Sequence, residues 1–155
     1  MAQLTEFLKK VYLFESLGVA DLQWLSGIGR VRDVGAGDTI FFEGAAAGSF
    51  FVVRQGTVEL TVRGQEDDQV VATLGAGSML GEMGLVSGAI RSATATAREN
   101  TILVEFLYSE IESRASADSR FGMQLYRAMA AQLSKRIFAT THSLAAVKDL
   151  KLRHN

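Results

Sequence analysis

Hydrophobic positions along this chain change period twice, and the two changes divide it into three stretches. In residues 5–28, Phe7, Leu8, Val11 and Tyr12 recur at helical spacing, with Lys9 and Lys10 on the opposite side. Leu17-Gly18 interrupts the pattern, and Ala20-Asp21-Leu22-Gln23-Trp24-Leu25 resumes it until Gly27 and Gly29 stop it. Two short helices are expected there. Trp24, in register with Leu25 and Ile28, reads as a packing residue and not as a platform for a ligand.

From residue 30 to 107 alternation replaces the helical period. Strands are expected over 31–34, 39–42, 49–54, 57–63, 69–74, 92–97 and 101–107, separated by turn signals. Val58, Leu60 and Val62 point one way, with Thr57, Glu59, Thr61 and Arg63 the other. Gln55-Gly56 supplies a tight hairpin, because Gly56 can take a positive φ. Ala93, Ala95 and Ala97 alternate with Thr94, Thr96 and Arg98, which leaves a small-residue face for a ligand to lie against.

Residues 109–152 return to helix, with a short element over about 109–115 and a long one capped by Asp118. Phe121, Leu125, Met129, Leu133 and Ile137 form a stripe expected to pack on the strands. Leu133, Ile137, Thr140, Leu144 and Val147 then continue at spacings of three and four, a seam of about two heptads that reads equally as core or as dimer contact. The expected class is α+β: an antiparallel β-roll or jelly-roll of about eight strands flanked by N-terminal and C-terminal helices.

Composition narrows the functions such a roll can serve. The 155 residues suit one domain, able to bury about 70% of its unfolded surface. With 48% hydrophobic and 21% charged residues, disorder is excluded. A net charge of −1 gives no basic field for nucleic acid. Without cysteine there is no disulfide, thiolate nucleophile or thiolate metal site, and His142 and His154 are too few and too distal for a metal cluster or a Ser-His-Asp triad. The acidic run in Gly64-Gln65-Glu66-Asp67-Asp68 lacks the alternating spacing of a calcium loop and reads as surface charge. The expectation is a non-enzymatic protein without metal or cofactor. No signal peptide opens the chain and no apolar run approaches membrane-spanning length, so a cytoplasmic location is expected, without membrane contact.

The candidate chemistry lies in Gly81-Glu82-Met83-Gly84-Leu85, followed after five residues by Arg91-Ser92-Ala93-Thr94. A lone arginine in Ala89-Ile90-Arg91-Ser92-Ala93 needs an anion, since burying an unpaired guanidinium is costly. A phosphate suits its fork, which donates two parallel charge-assisted bonds. Glu82 can accept from a sugar hydroxyl, and the amides of a helical turn starting near Met83 are expected to add donors. A structural Glu82–Arg91 ion pair is the plain alternative, but it requires no glycines at 81, 84 and 88.

At these residues the chain resembles the cyclic nucleotide-binding domain family, whose phosphate-binding cassette runs Gly-Glu-Leu/Met-Ala/Gly-Leu, a short loop, then Arg-Ala/Ser/Thr-Ala. Gly81, Glu82, Met83, Gly84, Leu85, Gly88, Arg91, Ser92 and Ala93 fit it; Ile90 departs from it, standing where many members carry proline. That departure is expected to loosen the loop. Val34 to Ile40, Phe42-Glu43-Gly44, Gln55 to Leu60 and Leu74 to Gly77 resemble the family's other turns, so the likeness covers nearly the whole chain. It implies a single domain over 1–155: helices over 1–28, a roll over 30–107 with its cassette at 80–94, and helices over 109–152. It resembles a stand-alone bacterial-type domain, similar to the ligand-binding half of catabolite activator proteins, and ends where a DNA-reading domain begins in such proteins.

The resemblance implies a regulatory domain that binds cyclic AMP or cyclic GMP. Gly81, Glu82, Met83, Gly84, Leu85, Arg91, Ser92 and Ala93 would contact the ligand, and Arg136 on the last helix would meet the base, unless Lys135-Arg136 is only the helix's solvated side. Ser92 does not separate adenine from guanine. The moved C-terminal helix would act through a homodimer or a protein effector. Two other readings stay open: a degenerate fold used only for dimerisation or docking, and a cyclic dinucleotide receptor.

Overall fold

The structure is a computed structural model and describes residues 2–88 and 90–154. It opens with α1 (Ala2–Lys9), a 3-10 turn (Tyr12–Phe14) and α2 (Val19–Ile28). Eight strands follow among the described residues: β1 (Arg30–Val34), β2 (Thr39–Phe41), β3 (Ser49–Gln55), β4 (Val58–Val62), β5 (Gln69–Leu74), β6 (Met79–Leu80), β7 (Thr94–Ala97) and β8 (Thr101–Leu107). A four-residue helix, α3 (Gly84–Ser87), lies between β6 and β7, and α4 (Tyr108–Ala117) and α5 (Ser119–His154) close the chain. The α+β roll read from periodicity is the fold observed. β6 was missed because two residues carry no alternation.

The strands form two antiparallel four-stranded sheets, ordered β1-β8-β3-β6 and β2-β7-β4-β5. Alternation sends the two faces of β8 into different cores. Val104 and Phe106 join the helices in a core with Phe14, Phe50, Phe121 and Leu125, whereas Leu103 faces the second sheet with Phe51, Val53, Val58 and Ala95. Glu105 shares the inter-sheet face of Leu103 by that alternation, and it is buried.

Asp118 caps α5 as expected, its Oδ1 accepting from the backbone amides of Arg120 (3.1 Å) and Phe121 (3.2 Å). Trp24 packs edge-on to Phe121 at 5.8 Å, with the Arg114 guanidinium 4.5 Å from its ring. The α5 stripe is shorter than its periodicity suggests. Phe121, Leu125 and Met129 are buried, but Leu133 is 47% and Ile137 59% exposed. Beyond Met129 the apolar stripe is uncovered, with Leu133, Ile137, Leu144 and Val147 exposed, while Arg136 still reaches Glu82.

Candidate functional site

Arg91 is fixed before its side chain is considered. Its amide donates to Ala45 O at 2.8 Å, and its carbonyl accepts from the Gly44 amide at 2.9 Å. Ile90, just before it, forms an isolated antiparallel bridge with Ala46. The loop expected to loosen without proline is therefore tied by backbone pairing.

The Arg91 side chain runs inward and is only 7% exposed. Its guanidinium carbon lies 4.2 Å from the Phe41 ring centroid, a cation–π contact. Nη2 donates to Ser49 Oγ at 3.4 Å, and Ser49 in turn donates to Glu105 Oε2 at 2.7 Å. Arg32 closes the line, with Nε at 3.0 Å and Nη2 at 2.6 Å from Glu105 Oε1. Arg91 Nη1 has no hydrogen-bond partner among the described residues. A buried cation with a free donor is a costly arrangement unless an anion completes it.

Gly81 makes room for this guanidinium. It has φ +78°, and a Cβ there would lie 2.4 Å from Arg91 Nη1. Its carbonyl accepts from the Tyr108 hydroxyl, and that hydroxyl would meet a Cβ on Gly84 at 2.3 Å. Glycine at 81 and 84 is thus set by two side chains that cross the turn. Burial pushes the Tyr108 phenol up, against the opposing pull of the neighbouring Arg91 charge.

Glu82 is 3% exposed and accepts on one oxygen, Oε1, from Tyr12 (3.2 Å) and from Arg136 Nη2 (3.3 Å). Burial pushes the Tyr12 phenol strongly up, and the Glu82 charge adds to it. The plain alternative of a Glu82–Arg91 ion pair is not what forms: Glu82 pairs with Arg136, while Arg91 reaches Ser49.

Gly81, Glu82, Gly84, Arg91, Tyr108 and Arg136 line one cavity of about 610 Å³, within the range of small-molecule sites. Of the residues expected at the site, Gly81, Glu82, Met83, Gly84, Arg91, Ser92, Ala93 and Arg136 all line it. Leu85 does not; it is 5% exposed and packs in the larger core, where it anchors α3. Of the turn amides, those of Gly84, Leu85, Val86 and Ser87 donate to carbonyls within the turn, which leaves the expected donor role to the amides at its start, near Met83. Arg136 reaches Glu82, although half of its side chain stays exposed to solvent. Sequence reasoning missed Ser49, Glu105, Tyr108 and the polar role of Tyr12. Glu105 carried a usable signal, an acidic residue inside the apolar run Thr101 to Leu107.

An eight-stranded roll with a buried cation, a buried carboxylate and a glycine-shaped turn around one cavity is the architecture of a ligand-binding regulatory module. The family model described as "Cyclic nucleotide-binding domain" matches residues 31–118, and the chain belongs to that family. It is 32% identical over 92 residues to the cAMP-dependent protein kinase regulatory subunit of Mycosarcoma maydis, covering 59% of this chain and 18% of that protein. It is also 32% identical over 102 residues to human (Homo sapiens) cGMP-dependent protein kinase 2, covering 64% of this chain and 13% of that one. The chain thus spans less than a fifth of either relative. Among solved structures, the N-terminal domain of a transcriptional regulator from Streptomyces coelicolor A3(2) superposes with a TM-score of 0.78 at 25% identity, covering 86% of this chain and 94% of that one.

Proposed function

We propose that this domain binds a cyclic mononucleotide, cyclic AMP or cyclic GMP, and passes the binding event to its C-terminal helix without catalysing a reaction. The observation that carries the reading is the free Nη1 of buried Arg91 at the floor of the cavity. The cyclic phosphate takes that donor and completes the charge. Glu82 accepts from the ribose hydroxyl, and Ser92 and Ala93 line the wall beside the phosphate. Support for a cyclic nucleotide also comes from the two kinase-related proteins, whose names specify cAMP and cGMP.

Transmission follows from the Glu82–Arg136 contact, which joins the cassette to α5. A sugar on the second oxygen of Glu82 engages the same carboxylate that holds Arg136, whose planar guanidinium then covers the base from its place beside Glu82. Ligand then favours whichever α5 position binds it better, which is linkage and needs no further device. The uncovered Leu133, Ile137, Leu144 and Val147 give α5 an apolar seam for a second copy or a protein effector. No helix among the described residues is long and apolar enough to cross a membrane.

Calorimetric titration with cyclic AMP, cyclic GMP and cyclic di-GMP tests the reading. Saturable binding of a mononucleotide is expected. Binding of cyclic di-GMP alone, or of none of the three, overturns it in favour of a dinucleotide receptor or a docking module.

A further inference from the structure

Tyr12 does not line the cavity, yet its hydroxyl donates to Glu82 Oε1. The same oxygen accepts from Arg136. A carboxylate oxygen offers two lone-pair directions, so these donors fill Oε1 and leave Oε2 as the acceptor for anything else. Glu82 is almost wholly buried, so its partners, not water, set the direction of its carboxylate. Tyr12 lines a separate groove with Ser16, Gln124 and Lys135, and its ring packs on the larger core. It therefore reaches Glu82 from behind the cavity wall. The raised phenol, caused by burial and the Glu82 charge, keeps the hydroxyl protonated as a donor at ordinary pH.

We infer that Tyr12 is a positioning residue: it holds Glu82 so that the free oxygen meets the ribose 2′-hydroxyl, and so makes the N-terminal turn part of nucleotide recognition. This rests on the reading of Glu82 as the sugar acceptor. The consequence is specific. A shift of the Tyr12–Phe14 turn, for instance when α1 moves, loosens Glu82 and lowers the preference for a ribonucleotide while leaving the phosphate anchor intact.

The test is calorimetry on the full chain and its Tyr12→Phe, Glu82→Gln and double variants, with cyclic AMP, cyclic GMP and their 2′-deoxy analogues. Phenylalanine keeps the ring in the core, so the fold is expected to hold. Tyr12→Phe should weaken ribonucleotide binding about five- to tenfold, less than the worth of a direct hydrogen bond to a charged group because Tyr12 positions the acceptor and does not touch the ligand. It should leave the 2′-deoxy analogue within about twofold, and add less than about twofold in the Glu82→Gln background. Equal losses for both analogues, or additive losses in the double variant, show a merely structural role and overturn the inference. A ligand-free measurement covers a poorly folding Tyr12→Phe: Glu82→Gln should shift the Tyr12 ring carbon-13 resonance at neutral pH, where both proteins are folded. An unmoved resonance overturns the contact. If the parent binds neither nucleotide, the functional reading fails and this inference falls with it. If the parent binds and Tyr12→Phe binds equally well, the inference alone fails.

Discussion

Replacing Gly81 by alanine perturbs the phosphate anchor without touching a charged side chain. Two costs arise, and they can be separated. The residue has φ +78°, a left-handed conformation that costs an alanine roughly 1–2 kcal/mol. Its Cβ would also stand 2.4 Å from Arg91 Nη1, about 1 Å inside ordinary van der Waals contact, so the guanidinium must swing away from the cavity floor. Gly37 provides the matched control, with φ +87° and nothing within 4 Å of its Cβ. Both variants should lose stability from backbone strain, with melting temperatures about 2–8 °C lower for a domain of this size. Only Gly81→Ala should lose nucleotide, by about ten- to hundredfold, the worth of one charge-assisted bond. Differential scanning calorimetry and isothermal titration on the pair give both numbers. Equal affinities for Gly81→Ala and Gly37→Ala would refute the reasoning, because the guanidinium position would then not set binding.

Three further outcomes are expected. Glu82→Gln should weaken cyclic nucleotide binding while affecting the 2′-deoxy analogue little; equal losses would mean that Glu82 organises the turn and does not read the sugar. Leu144→Asp places facing like charges in the proposed α5 seam and should yield a monomer by light scattering with the roll still folded, whereas a parent protein that is monomeric at high micromolar concentration removes the dimer. Tyr12, Tyr108 and Tyr126 all have phenols pushed up, chiefly by burial. A raised folded-state value means their contribution to stability is fully present below the unfolded value of about 10 and is lost as pH rises from there. Alkaline unfolding should therefore start above about pH 10, with tyrosinate absorbance rising in the same transition, while the denatured chain titrates near 10. Phenols that ionise near pH 10 in the still-folded protein would contradict this.

How far the sequence reached differs element by element. Strand periodicity and turn signals placed seven of the eight described strands to within about two residues; Met79–Leu80 is too short to show a period. Arg91 was legible as a lone cation in an apolar run, since burial of such a group demands a partner. The same logic applies to Glu105 but needs a third residue, Ser49, that spacing cannot connect to it. Tyr12 read as a packing residue because its ring does pack; the hydroxyl contact with Glu82 spans 70 positions and leaves no local trace. The α5 stripe was overextended because a helical period records which face is apolar and not where the surface beneath it ends. Leu85 was included with the cassette residues, but the turn of α3 sends it into the core.

The most direct test of the central claim is Arg91→Ala measured against the parent by isothermal titration with cyclic AMP and cyclic GMP. The proposed anchor supplies the free Nη1 donor, a charge-assisted bond of about 1.5–3 kcal/mol, together with the charge that balances the phosphate, so affinity for whichever nucleotide binds should fall by about a hundredfold or more. The fold should survive, because the lost guanidinium leaves Ser49 and Glu105 still paired with each other and with Arg32. A folded Arg91→Ala protein that binds the nucleotide as tightly as the parent would contradict the account at its base.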